Sequence, residues 1–185
     1  MTQSMKKQPN PEPTWTEASE PFASQAASST RRSFSARFRE HYLCFLTGEA
    51  PDSTAEFRTL GGEIPGTVRR VLHIVPLVKR SGANPFSMMI TLGRAANNDI
   101  PIAFGDVSKF HGYFSQQDES WFITDAGSTN GTYLRGAKIA VRTPVQIAFG
   151  EEIGLASIRS WVLDGGALHD FLQRQIASAG DLRAS

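Results

Sequence analysis

The stretch Asp125-Ala126-Gly127-Ser128-Thr129-Asn130-Gly131-Thr132 decides how this chain is read. Two glycines bracket three short polar residues. Glycine reaches positive φ without steric cost, and Asn-Gly is a strong tight-turn signal. Such a turn aims backbone N–H groups and hydroxyls at one point. Trp121-Phe122-Ile123-Thr124 runs into it and Thr132-Tyr133-Leu134 leaves it. Both flanks carry the aromatic and β-branched residues of strands.

The same pattern repeats on either side. Short strands are predicted over 71–79, 87–92, 100–102, 112–115, 121–124, 132–134, 145–147, 152–156 and 159–163, with Gly, Asn, Asp or Pro between most of them. Regular short strands with turn signals predict an all-β fold, an antiparallel sandwich of about 9–11 strands. Trp121, Phe122 and Phe149 are core candidates. After Gly165-Gly166, the residues Leu168, Phe171, Leu172 and Ile176 fall on one helical face, so a helix is expected over 165–178 and a short tail over 179–185.

The N-terminal half reads differently. Residues 1–33 are rich in Pro, Ser, Thr and Gln, and are expected to be a disordered tail. Phe34, Phe38, Tyr42 and Phe45 recur at helical spacing, so an amphipathic helix is expected over 34–47, followed by a linker over 48–67. The sandwich domain then occupies 68–164.

Composition narrows the function classes. The 185 residues carry a net charge of +1 and one cysteine, Cys44. A single cysteine excludes an intrachain disulfide and a cysteine-based metal cluster, and fits a reducing, cytoplasmic setting. The near-neutral charge gives no global pull toward nucleic acid or membrane, so any anion site must be local. No metal and no cofactor are expected. The lysines near the N-terminus precede no apolar run, so no secretory signal is expected.

Two further segments supply chemistry that fits the turn. Leu92-Gly93-Arg94 is followed by Asn97-Asn98-Asp99-Ile100, and Val107-Ser108-Lys109-Phe110-His111 comes next. The guanidinium of Arg94 offers a planar fork of donors that matches phosphate oxygens. Ser108 and Thr129 add hydroxyl donors, and Lys109 adds a second cation. One or two cations with several neutral donors suit a single phosphate group, and are too few for a nucleic-acid backbone.

In order and spacing, the set GR, SxxH and GSTNGT, together with Gly136-Ala137-Lys138-Ile139 and Phe149-Gly150-Glu151-Glu152-Ile153, is similar to the forkhead-associated (FHA) domain family over about residues 71–163. The resemblance implies an FHA-like β-sandwich that binds phosphothreonine peptides as an adaptor in Ser/Thr-kinase signalling. It assigns phosphopeptide binding to Arg94, Ser108, Lys109, Thr129 and Asn130. It makes Gly93, His111, Gly127, Ser128 and Gly131 the scaffold of the binding loops. It places Asp106 in a specificity loop, where an acidic side chain would disfavour an acidic peptide residue. The implied partner is a phosphothreonine protein or peptide, including a Ser/Thr kinase or its substrates. The chain departs from the family pattern at Lys109, where arginine is common, at Arg135-Gly136 in place of Asn-Gly, and at Gly150-Glu151 in place of Gly-Asp.

Two other readings compete. Ser108, His111 and Asp125 are the residue types of a catalytic triad, but Ser108 lacks the flanking glycines of a nucleophile elbow, and no enzyme is expected. A phosphate-independent assembly module would use the sandwich and the 34–47 helix. Arg94 has its own plain alternative, a surface ion pair with Asp99 or Asp106.

Overall fold

The computed structural model describes residues 13–15, 19–48 and 70–181. In chain order the elements are β1 (Pro13–Trp15), α1 (Glu20–Ser28), α2 (Arg31–Arg37), β2 (Tyr42–Gly48), β3 (Arg70–Pro76), β4 (Ile90–Gly93), β5 (Ile100–Pro101) and β6 (Gly112–Gln117). They continue with β7 (Ser120–Asp125), β8 (Thr132–Leu134), β9 (Ala137–Lys138), β10 (Val145–Ile147), β11 (Glu152–Leu155), β12 (Ile158–Leu163) and α3 (Gly165–Asp181). The strands form a seven-stranded sheet in the order β1-β3-β2-β12-β11-β8-β9 and a five-stranded sheet in the order β10-β7-β6-β4-β5. Most pairings are antiparallel; β1 with β3 and β4 with β5 are parallel. The sandwich expected from the sequence is present.

Strand alternation divides the apolar residues between two cores. Leu43 and Phe45 of β2, Val162 of β12, Leu92 of β4, Phe114 of β6 and Ile123 of β7 fill the space between the sheets. The opposite faces of β2 and β3 present Tyr42, Cys44, Leu72 and Ile74 to Ala26 of α1, Phe34 of α2, and Leu168 and Leu172 of α3. The helices therefore form a third layer on the outer face of the seven-stranded sheet. Ser19 ties this layer down: its hydroxyl accepts the buried Ile74 N–H at 3.0 Å.

This layer corrects the expected N-terminal organisation. The helix expected over 34–47 ends at Arg37, where the Phe38 N–H closes the last turn on the Phe34 carbonyl. Residues 42–48 are instead an interior strand, paired with β3 on one side and β12 on the other. Tyr42-Leu43-Cys44-Phe45-Leu46 is apolar without a break, as a strand covered on both faces must be. The spacing of Phe34, Phe38, Tyr42 and Phe45 joins a real helical turn to that strand. The described part of 1–33 is likewise structured: α1 buries Ala23 and Ala26 and packs on α3. The expected linker lies outside the described residues except at Gly48. Phe149 also departs from expectation. It is 41% exposed and stacks on His41 at 4.5 Å.

No helix among the described residues is long and apolar enough to cross a membrane.

Candidate functional site

Three loops meet at one end of the five-stranded sheet: 94–99 after β4, 102–111 between β5 and β6, and 126–131 between β7 and β8. Backbone hydrogen bonds join the first two. Arg94 N–H donates to the Ser108 carbonyl at 2.9 Å, and Ala95 N–H to the Lys109 carbonyl at 3.1 Å. The Asn98 amide reinforces this, donating to the carbonyls of Ala95 (2.8 Å) and Lys109 (2.7 Å). Gly93 permits the approach. A Cβ there would stand 2.5 Å from the Lys109 carbonyl oxygen, so a larger residue would push the loops apart.

The third loop is shaped by Asp125 at the end of β7. This residue is 1% exposed. Its carboxylate accepts the N–H groups of Gly127 (2.8 Å) and Ser128 (2.7 Å) on one oxygen, and the hydroxyls of Ser128 (2.7 Å) and Thr132 (2.7 Å) on the other. Burial alone would raise its pKa, but these hydrogen bonds outweigh it and bring the pKa down to about 2. The Ser128 hydroxyl in turn accepts the Gly131 N–H at 2.9 Å. Gly127 and Gly131 take φ of +96° and +86°, as the turn requires.

These loops bring Ser108 and Thr129 together. The Ser108 hydroxyl accepts the Thr129 N–H at 3.0 Å and lies 3.4 Å from the Thr129 hydroxyl. The Asn130 amide donates to the Asp106 carbonyl at 2.7 Å. Arg94 donates through Nε to the Val107 carbonyl at 3.2 Å, which orients the guanidinium and leaves its two terminal nitrogens without a partner among the described residues. Arg94, Lys109, Thr129 and Asn130 are exposed and Ser108 is half-buried. The five residues singled out as phosphate ligands thus lie on three adjoining loops.

Other assignments shift. Arg94 forms no ion pair with Asp99 or Asp106. Asp99 instead pairs with Lys79 at 2.8 Å and accepts from Thr91, Asn84 and the Arg80 N–H. Burial opposes ionisation there, but those donors hold its pKa well below the usual carboxylate range. The Asp106 carboxylate accepts the Ser157 N–H at 3.0 Å, so it ties the β5–β6 loop to the turn after β11. Arg135 is not a free cation. Its guanidinium meets Glu151 at 2.6 Å, and its backbone sits at φ +53° in the two-residue turn between β8 and β9.

His111 is fully buried. Its Nδ1 accepts the Ser108 N–H at 3.3 Å, which places the ring proton on Nε2. Burial lowers its pKa, against the pull of Asp125, the Gly131 backbone and Asp106. The triad alternative fails on these contacts. The Ser108 hydroxyl bonds Thr129 and not the imidazole, and the Asp125 carboxylate is occupied by the turn.

Sequence reasoning passed over Lys138. It lies on β9 with its side chain across Gly131: a Cβ built on that glycine would stand 3.0 Å from Nζ. Arg94, Lys109 and Lys138 have no carboxylate partner among the described residues, so the three-loop rim is cationic. The register that pairs Tyr133 with Lys138 puts the lysine there, and no local motif announces it.

Residues 90–156 match the family model for the FHA domain. Over that segment the chain is similar to the FHA domain family. The chain is 33% identical over 69 residues to the FHA domain-containing protein FhaB of Mycobacterium tuberculosis, covering 37% of this chain and 44% of that protein. It is 32% identical over 75 residues to the oxoglutarate dehydrogenase inhibitor of Corynebacterium diphtheriae, covering 40% of this chain and 50% of that one. The chain spans about half the length of the curated relatives it matches. Among solved structures it is similar to Mycobacterium tuberculosis EmbR, studied in complex with a low-affinity phosphopeptide, at 17% identity and a TM-score of 0.41. The match covers 66% of this chain and 24% of that one. The FHA domain is a protein-interaction module rather than a catalytic fold.

Proposed function

We propose that this FHA-like domain binds phosphothreonine peptides and serves as an adaptor in Ser/Thr-kinase signalling. The observation that carries the proposal is the contact of Ser108 with Thr129, which closes two loops into one donor surface beside an Arg94 guanidinium whose terminal nitrogens have no partner among the described residues. A phosphothreonine brings about two negative charges and three acceptor oxygens. Arg94 supplies the bidentate charge-assisted contact, Ser108 and Thr129 the neutral donors, and Lys109 a point charge. Asn130, held by the Asp106 carbonyl, faces the peptide backbone in this reading. The partner is a phosphorylated protein, a Ser/Thr kinase or one of its substrates. The buried free thiol of Cys44, whose pKa burial pushes far up, suits a cytoplasmic setting.

Calorimetry with a phosphothreonine peptide library tests the reading. Binding of roughly micromolar order, about −8 kcal/mol, is expected for the best peptides. Arg94→Ala should cost about 2–5 kcal/mol by removing a charge-assisted partner. Equal affinity for phosphorylated and unphosphorylated peptides would sink the proposal.

A further inference from the structure

The outer face of the five-stranded sheet carries a row of aromatic rings that the phosphate reading does not use. Phe110 directly follows Lys109 in the phosphate loop, and is 41% exposed. Its ring stacks on Phe86, 48% exposed, with centroids 6.1 Å apart and planes within 9°. On the other side it stacks on Tyr113 at 6.4 Å and 13°. Tyr113 neighbours Phe114, which is fully buried between the sheets, so Tyr113 points outward. Nothing among the described residues covers this row. Exposed aromatic groups in contact with one another, at the edge of a polar site, mark an interaction surface.

Two features identify the occupant. The middle ring of the row, Phe110, lies two residues from Ser108 in the chain, so a peptide anchored there has the row beside its near neighbours. The spacing also fits. Side chains on one face of an extended peptide recur every two residues, or about 6.6–6.8 Å. The ring centroids repeat at 6.1 and 6.4 Å. We infer that the Phe86–Phe110–Tyr113 row reads apolar side chains at alternate positions, the second and fourth residues on one side of the phosphothreonine, in an extended ligand. The inference rests on the phosphothreonine reading and adds a sequence preference that is separate from the phosphate.

Fluorescence anisotropy on the full chain tests it, with phosphothreonine peptides carrying Leu or Ser at the second and fourth positions on either side. Leu on one side should tighten binding about tenfold, the scale of partly burying leucine side chains. Phe86→Ser and Phe110→Ser should each abolish that gain and leave the Ser peptide's affinity and phosphate dependence unchanged. Both side chains are substantially exposed, and circular dichroism confirms folding of each variant. Equal affinity for Leu and Ser peptides, with phosphate dependence intact, overturns the row and spares the phosphate reading. Loss of phosphate dependence overturns both. Concentration-dependent dimerisation of the free chain that Phe110→Ser abolishes assigns the row to a second copy, and overturns the inference as well.

Discussion

The outer face of the seven-stranded sheet lies under α1, α2 and α3, whereas that of the five-stranded sheet has no helix over it among the described residues. The first is finished with aliphatic and aromatic packing; the second ends in loops fastened by buried polar groups. Phe34, fully buried, shows how the covered side is held. It contacts Phe38 at 4.5 Å and the His169 ring at 5.4 Å. On the bare side Phe110 stacks on rings that are themselves exposed or half-exposed. The helical layer supplies stability to a sheet face that the site does not use, and leaves the other sheet free to carry loops and an open face.

The largest effect follows from that contrast. Phe34→Ala should cost about 3–5 kcal/mol of folding stability, because it leaves a cavity between α2, α3 and the sheet. Phe110→Ser should stay within about 0.5 kcal/mol. Urea unfolding of both variants checks the pair. A loss below about 1 kcal/mol for Phe34→Ala would mean that the helices are not part of the cooperative core.

A smaller effect belongs to the loop end. Asp125→Asn keeps the size of the side chain but replaces one acceptor oxygen with an amide. That oxygen serves two of four donors, so about 2–3 kcal/mol should be lost, the scale of hydrogen bonds to a charged group. Thr129 should then lose its place beside Ser108, and phosphopeptide binding should weaken although the new amide would touch no phosphate. Unfolding curves and peptide titration of one preparation separate the two losses. Unchanged binding alongside reduced stability would show that the turn holds without its carboxylate.

The site is more legible in the sequence than the framework around it. Arg94, Ser108, Thr129 and Asn130 stand on glycine- and asparagine-marked loops, where local chemistry dictates local geometry. Strand β2 reads as helix because a strand covered on both faces loses its alternation, and Phe34 and Phe38 lend it a false helical phase. The depth of Asp125 does have a local signal. An acid two and three residues before free N–H groups, with Ser and Thr nearby, is the pattern of a side chain that caps its own turn. Lys138 and the Asp106–Ser157 tie depend on register and long-range packing, which no short window contains. Phe149 reads as core by its hydrophobicity alone, yet it follows β10 in a turn and rests against His41 on the surface.

Acid should separate the two regions further, with the smallest effect of the series. The folded pKa of Asp125 lies near 2, below the ordinary value of about 4 in an unfolded chain. Its contribution is therefore complete above pH ~4 and is lost as pH falls toward 2, on the order of 2 kcal/mol. Asp99 acts in the same direction. Burial lowers the pKa of His111, so its neutral form stabilises the fold above pH ~6.5 and that contribution begins to fall below it. Protonation there also competes with the Ser108 N–H for Nδ1. On the helical side the Arg31–Asp170 pair is exposed and screened, so it adds little. Hydrogen exchange from pH 7 to pH 2, corrected for intrinsic rates, should show protection falling at the Ser128 and Thr129 amides while the amides of Cys44 and Ile74 keep theirs. Asp125→Asn should flatten the loop's dependence below pH ~4 and leave the His111 component above it. Parallel loss of protection in both regions would mean that acid acts on the whole sandwich, and that the two sheets fail together despite their different finishes.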